Sequence, residues 1–259
     1  MFGWRARIGV LLPPGNPTVE PELTGMAPVG VTLHFARIET PPSVGKAGEH
    51  AGMEERTRAY REGPAGPTQA LSQLRPAVVV LAHTASSYAL GFGNEQGLVD
   101  RIAGLAGAPA LLAAHAVLAA LRHLGVKRLA LGTPYPESIS QQGRAYWEAA
   151  GFEIVGYHRL EGVTDIYAEN EERAYLLARQ ADAPDADAVL LSGTGLPTVA
   201  MLETLERDLG KPVISSNQAM LWQALRMASV REPIAGYGRL LREILSRPPG
   251  GTHDAHGHD

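Results

Sequence analysis

The sequence predicts an α/β protein made of two pseudo-symmetric halves, each a mostly parallel, doubly wound sheet. Short runs rich in Val, Ile and Leu alternate with longer segments of helical periodicity, which is the pattern of βα units. Some of the runs return later in the chain with similar sequence. The 259 residues, 45% of them hydrophobic and 19% charged, suffice to bury a core in one large domain or two small ones.

The elements follow from apolar runs bounded by turn residues and from apolar residues at helical spacing. The predicted strands are Arg7–Leu12, Val31–Ile38, Ala77–Ala82, Ala108–Leu112, Arg128–Leu131, Phe152–Leu160, Ala188–Ser192 and Pro212–Ser215. The predicted helices are Met53–Glu62, Pro67–Arg75, Glu95–Leu105, His115–Leu124, Ser138–Ala150, Glu171–Ala181, Leu196–Leu209 and Gln218–Met227. The segment after the first strand is expected to open a further helix, and His83–Tyr88 is expected to be a loop.

An internal repeat divides the chain. Arg7–Leu11 reappears as Arg128–Gly132, 121 residues later, and Gly30–Leu33 matches Gly151–Ile154 at the same offset. We therefore expect a first half over residues 1–114, completed by C-terminal helices within 217–245, and a second half over 115–216. Ligands of open α/β sheets bind beyond the carboxyl ends of the strands, so the loops there line the predicted cleft.

Composition excludes several partners. The formal net charge is -4 and there is no long basic block, so no nucleic-acid partner is expected. The first ten residues lack the apolar core of a signal peptide, and glycines, a proline and a histidine interrupt the most apolar stretch, Ile102–Leu121. We expect a cytoplasmic protein with no membrane partner. The absence of cysteine excludes disulfides, cysteine-ligated zinc and thiol nucleophiles.

No cofactor or metal is predicted. The chain has neither a P-loop nor a GxGxxG after the first strand, and Gly91–Glu95 lacks the third glycine. Residues 246–259 are expected to be a disordered tail, where His253, His256 and His258 can bind metal only adventitiously. Apolar helix faces predict a homodimer or higher homo-oligomer.

Two loops of the first half carry candidate chemistry. Asn16 is either a helix N-cap or a donor to an anionic substrate group. The segment His83-Thr84-Ala85-Ser86-Ser87-Tyr88 brings hydroxyls and backbone amides to a strand end, which suits a carboxylate or oxyanion. His83 is either a structural residue at the strand end or a proton-transfer group, because an unperturbed imidazole titrates near neutrality.

The matching loops of the second half contain fewer residues that titrate near neutrality. Gly193 is the counterpart of His83, and Gly193 and Gly195 flank Thr194, so backbone amides could approach an anion where the next helix begins. A plain turn would use the same residues. Tyr135 stands between two prolines, which would hold its hydroxyl toward the cleft unless the ring serves packing alone.

Five segments resemble one known group of proteins. They are PPGNPTVEPEL, AHTASSYALG, LGVKRLALGTPY, LLSGTGLPT and GKPVISSNQAMLWQALR. Over about residues 5–242 the chain resembles the aspartate/glutamate racemase superfamily, and within it the maleate cis-trans isomerase and arylmalonate decarboxylase branch. The resemblance implies two Rossmann-like halves with the active site between them.

The resemblance also implies which residues bind and which have changed. Relatives place a cysteine at one position in each half, and here those positions are His83 and Gly193, so thiol chemistry is lost. The implied carboxylate pocket consists of Asn16, Thr84, Ser86 or Ser87, Tyr135, and Thr194 with the amides of Gly193 and Gly195. Ala85 departs from the relatives, where a second hydroxyl is common.

Together these observations predict a cofactor-independent enzyme acting alpha to a carboxylate, with decarboxylation of a malonate-like small acid as the leading reaction. The pocket would stabilise the enediolate, and His83 would supply the single proton. One alternative is an isomerase, racemase or hydrolase of a small carboxylate or cyclic amide, with His83 as base and Tyr135 or water as partner. Another is a carboxylate-binding protein without catalytic activity.

Overall fold

The computed structural model describes residues 2–243, and they form two four-stranded parallel sheets. The strand orders are β2-β1-β3-β4 and β6-β5-β7-β8, so the second sheet repeats the topology of the first. The strands are β1 Ala6–Leu12, β2 Val31–Arg37, β3 Val78–Leu81, β4 Ala110–Leu112, β5 Arg128–Thr133, β6 Glu153–Arg159, β7 Ala188–Leu191 and β8 Val213–Ser215. The predicted fold class is confirmed. The predicted tail, with His253, His256 and His258, lies outside the described residues.

Helices cover both sheets. They are α1 Val19–Met26, α2 Met53–Glu62, α3 Ala65–Ser72, α4 Thr84–Leu90, α5 Gln96–Ala106, α6 Ala113–His123, α7 Glu137–Ala149, α8 Glu171–Ala181, α9 Leu202–Leu209, α10 Ser216–Met227 and α11 Arg239–Arg242. No helix within residues 2–243 has the length and apolarity needed to cross a bilayer.

Two segments differ from the prediction. The expected loop after β3 is helix α4, whose residues 84–88 are all buried, so no alternation of polar and apolar faces marks it in the sequence. The expected helix Leu196–Leu209 starts later, as a 3-10 turn at Val199–Met201 that leads into α9. The Glu22 carboxylate accepts the N–H groups of Thr198 and Val199 and so fixes the later start.

One continuous core joins the halves. It contains buried residues of interior strands of both sheets, such as Val10 in β1 and Leu190 in β7. Helix α6 packs against β4 and β8, and α10 packs against α6, α1 and strands of both sheets. This shared packing fixes the carboxyl ends of β1, β3, β5 and β7 around one cleft. The domain boundaries remain a prediction.

Candidate active site

A small closed cavity lies where these strand ends meet. Its lining combines one histidine, three tyrosines, a buried arginine, a threonine, two apolar side chains and two glycines: Gly48, Met53, Arg56, Tyr60, His83, Tyr135, Ile166, Tyr167, Thr194 and Gly195. The cavity volume is about 20 Å³, which admits about one water molecule. Residues 44–51, called the cover segment below, contribute Gly48 to the lining, and the cavity is too small for an organic acid unless part of its wall moves.

The cover segment, which belongs to the first half, is hydrogen-bonded to the second half. The carbonyl of Gly48 accepts the N–H of Ile166 at 2.9 Å, and the N–H of His50 is donated to the carbonyl of Thr164 at 2.8 Å. The imidazole Nε2 of His50 lies 2.8 Å from the carbonyl oxygen of Pro134. The closed state is therefore built largely from backbone hydrogen bonds that a local movement can break and remake.

His83 is positioned by the start of α4, where its extended backbone forms the N-cap. The ring Nδ1 lies 2.8 Å from Ser86 Oγ, and the Tyr60 ring meets the imidazole edge-on with centroids 4.8 Å apart. Burial lowers the pKa of His83 to about 3, and the nearby positive charge of Arg61 adds to the effect. The side chain of His83 is thus neutral in the free protein.

This charge state corrects the expectation that His83 titrates near neutrality. A neutral imidazole offers one N–H donor and one lone pair, and the bond with Ser86 decides which of them faces the cavity. A neutral imidazole at a helix N-terminus can polarise or protonate a substrate without carrying a charge beforehand. An anion bound beside the ring would raise its pKa, since a negative charge favours the protonated form.

In the second half, the counterpart of His83 is Gly193, which has no side chain, and the hydroxyl of Tyr135 lies beside it. Gly193 has a φ of +113°, and its N–H donates to Ser216 Oγ at 3.1 Å. A Cβ at Gly193 would lie 3.2 Å from the Tyr135 hydroxyl and 3.1 Å from Pro134 Cγ. Burial raises the pKa of Tyr135, an effect that the Thr84 side chain opposes only in part, so the hydroxyl stays a protonated donor.

Asn16 and Thr194 link the halves across the cleft. Asn16 Oδ1 accepts the N–H groups of Thr18 and Val19 at 2.9 and 3.1 Å, as an N-cap does, while its Nδ2 lies 3.4 Å from Thr194 Oγ1. Thr194 Oγ1 in turn donates to the carbonyl of Ala82 at 3.0 Å. The bond from Asn16 is long and therefore weak, and Asn16 itself is not among the residues that line the cavity.

The remaining predicted residues divide between the site and its surroundings. Thr84 Oγ1 donates to Ser216 Oγ at 3.2 Å, behind the cavity, and Gly195 lines the cavity beside the Tyr167 ring. Ser87 is buried and is not part of the lining. Gly193, Thr194 and Gly195 form a loop, not a helix start, so the expected helix N-terminus beside Thr194 is wrong.

Several residues that matter here were not predicted. Met53, Arg56 and Tyr60 share one face of α2 and line the cavity, yet the charged sequence MEERTRAYRE is typical of a solvated helix. Ser216 and Asn217 open α10 behind Thr194, and Asn217 Nδ2 donates to Thr194 O at 3.2 Å. Both residues belong to SSNQAM, a segment that carries the family resemblance, and this resemblance was the one sequence feature that could have pointed to them.

Comparisons with known proteins agree with this architecture. A sequence model of the arylmalonate decarboxylase family matches residues 65–241. The maleate isomerase of Nocardia farcinica is 30% identical over 92% of this chain and 96% of its own length. The arylmalonate decarboxylase of Bordetella bronchiseptica is 35% identical over 64% of this chain and 72% of its own length.

Solved structures give the same result. A variant of Nocardia farcinica maleate cis-trans isomerase with a covalently bound succinylcysteine intermediate has a TM-score of 0.80 and 28% identity, and the match covers 92% of this chain and 98% of that one. A double variant of arylmalonate decarboxylase in a liganded form has a TM-score of 0.78 and 28% identity, with 92% and 99% covered. Fold and cleft thus define a twin-lobed α/β protein with a site between its halves. The chain belongs to the arylmalonate decarboxylase family, and it differs from the isomerase with the succinylcysteine in having no cysteine at all.

Proposed function

We propose that this protein is a cofactor-independent enzyme acting on the carbon next to a carboxylate, and that it decarboxylates a malonate-like small acid. The observation that carries the proposal is the asymmetry of the cleft. His83 is the imidazole of the lining, and Gly193, its counterpart in the second half, has no titratable group. Family relatives named maleate isomerase and arylmalonate decarboxylase support the broader class, an isomerase or decarboxylase of a small carboxylate.

Neutral donors would hold the carboxylate that stays on the substrate. Tyr135 and Thr194 line the cavity, and Asn16 Nδ2 is directed at Thr194. When the other carboxylate leaves as carbon dioxide, its bonding electron pair remains as an enediolate on the retained carboxylate and the α carbon. Donors already fixed in place stabilise that charge without reorganising, which is commonly the largest catalytic contribution.

His83 would supply the proton that replaces carbon dioxide. The dianionic substrate raises the pKa of the imidazole, so His83 takes up one proton from solvent as the substrate binds. Transfer of that proton to the α carbon gives the monocarboxylate and returns His83 to its neutral form. One proton is consumed and one carbon dioxide is released per turnover, and general acid catalysis of this kind contributes about 10²–10⁴-fold.

The test is a panel of aryl- and alkylmalonates assayed for carbon dioxide release in D₂O, with wild type, His83→Gln and His83→Ala. We expect one deuterium at the α carbon of the product and a large loss of turnover in both variants. Release of carbon dioxide by His83→Gln at the wild-type rate would remove His83 from the mechanism.

One observation favours a second candidate, an isomerase or racemase. The Tyr135 hydroxyl lies beside Gly193, so a second proton-bearing group lines the cavity that contains His83 even though residue 193 has none. Deuterium incorporation into a recovered small acid without carbon dioxide release would support this candidate over decarboxylation. Thermal stabilisation by small acids with neither reaction would instead indicate a binding protein.

A further inference from the structure

Arg56 is a buried cation inside the candidate site. Its residue exposure is 2%, and it is the only Lys or Arg in the buried class over residues 2–243. Helix α2 carries it between Met53 and Tyr60, at spacings of three and four residues, so all three side chains reach the cavity. The same cavity contains His83 and Thr194.

The hydrogen bonds of Arg56 all go to neutral oxygens. Its Nη1 donates to the carbonyls of Val44 and Ala51 at 3.1 and 2.8 Å, and its Nη2 donates to the carbonyl of Glu49. These are three of the five N–H donors of a guanidinium, and two are left for a ligand. The bonds anchor the cover segment but bring no negative charge.

No carboxylate of the described chain forms an ion pair with Arg56. More exposed arginines do have such partners: Arg37 lies 2.7 Å from Glu20, and Arg173 lies 2.6 Å from Glu169. Buried charges in proteins are normally paired, because desolvation without a counter-charge is costly. An uncompensated cation in the wall of a cavity therefore indicates that the counter-charge comes with the ligand.

We propose that Arg56 binds a second anionic group that stays on the substrate, distinct from the carboxylate held by Asn16, Tyr135 and Thr194. This inference rests on the proposed function and narrows its substrate class. A guanidinium beside the departing carboxylate would oppose its loss, and the retained carboxylate is already assigned to Asn16, Tyr135 and Thr194, so the group at Arg56 is a third one. The substrate is then a malonate whose side chain is itself anionic, for instance carboxymethyl, in preference to one with a plain aryl side chain.

Binding of unreactive acids tests the inference without turnover. Succinate carries a carboxylate at each end, and succinamate has nearly the same shape with one charge removed. Calorimetry should show that wild type binds succinate about 10–100-fold more tightly than succinamate, the size of a hydrogen bond to a charged group. Arg56→Gln should lose most of this preference, while Arg58→Gln, which removes an exposed charge from the same helix, should keep it.

The opposite results are equally clear. A succinate preference that survives in Arg56→Gln, or the same loss of affinity for both acids, would leave Arg56 as an anchor of the cover segment only. If Arg56→Gln does not fold, a structure of wild type with succinate decides: a carboxylate on the guanidinium supports the inference, and both carboxylates elsewhere overturn it. An Arg56-dependent preference without decarboxylation of any malonate would refute the proposed reaction and leave the anion site standing.

Discussion

The Tyr135 hydroxyl lies 3.2 Å from the point that a Cβ on Gly193 would occupy. This places a protonated phenol of the second half beside Gly193, the residue equivalent to His83 of the first. The candidate site is therefore asymmetric in chemistry although the two sheets share one topology.

Replacement of Gly193 by alanine should disturb this arrangement. The φ of +113° is unfavourable for an L side chain, and the new methyl group would crowd Tyr135 and Pro134. We expect a loss of about 1–2 kcal/mol in unfolding free energy and a lower kcat. Gly210→Ala is the control, because Gly210 has a φ of +68° with no atom within 4 Å of its Cβ position. Urea unfolding and turnover measure both effects, and unchanged turnover in Gly193→Ala would contradict the role given to the Tyr135 hydroxyl.

Removal of the Tyr135 hydroxyl should cost catalysis at every pH. Burial raises the pKa of Tyr135, so its hydroxyl is a donor throughout the working range. Tyr135→Phe should lower kcat by about 10²–10³-fold, as loss of one oxyanion donor does. The loss should be the same at about pH 6 and about pH 9, since neither value reaches the raised pKa. Tyr175→Phe, in α8 and outside the cavity, is the matched control, and a loss confined to one end of the pH range would indicate a titrating base instead.

Because His83 is neutral in the folded protein, we expect the free energy of unfolding to fall as the solution is acidified. The folded-state pKa of about 3 lies below the ordinary 6.5, so between these values the unfolded chain binds a proton that the folded chain does not. The stabilisation is complete above about pH 6.5 and declines on acidification, at up to about 1.4 kcal/mol per pH unit. His83→Gln should lack this contribution. Chemical unfolding of both proteins across this range gives the two slopes, and parallel slopes would mean that His83 titrates normally.

Ser86 and Ser87 were both predicted to bind substrate, but the structure gives them different surroundings. Ser86 bonds the imidazole of His83, whereas Ser87, also predicted to bind substrate, is not part of the cavity lining. Ser86→Ala should lower kcat with little change in KM, because the ring of His83 loses its fixed tautomer and orientation. Ser87→Ala should leave both constants near wild type. Equal effects of the two substitutions would argue for general loosening of α4.

Glu22 should stabilise the fold by hydrogen-bonding helix α1 to residues 198–199 and to the start of α10. Its carboxylate accepts N–H groups of Thr198 and Val199 at 2.6 and 2.8 Å and the Asn217 amide at 2.5 Å. Glu22→Ala leaves these donors unpaired and should cost about 1–3 kcal/mol of unfolding free energy. Glu20→Ala removes a partly exposed partner of Arg37 and should cost at most about 1 kcal/mol. Thermal and urea unfolding compare the two, and a smaller effect at Glu22 would contradict this role.

Sequence patterns alone determined the architecture of this protein. All eight strands lie within two residues of their predicted ends, because apolar runs between turn residues are a local signal. The repeat of Arg7–Leu11 at Arg128–Gly132 predicted twin sheets and a cleft at their strand ends. The family resemblance added the position of His83 opposite Gly193.

Only the tertiary structure decided the electrostatics of the site. Arg56 and Tyr60 belong to a helix that looks solvated in sequence, yet both are buried, Arg56 against the cover segment and Tyr60 in an apolar cluster of the first half. The low pKa of His83 and the difference between Ser86 and Ser87 likewise depend on neighbours that come from other elements. The charge state and the hydrogen-bond partners of a side chain depend on its burial and on contacts with residues distant in sequence. The local periodicity of the sequence gives no information on burial of this kind or on such contacts.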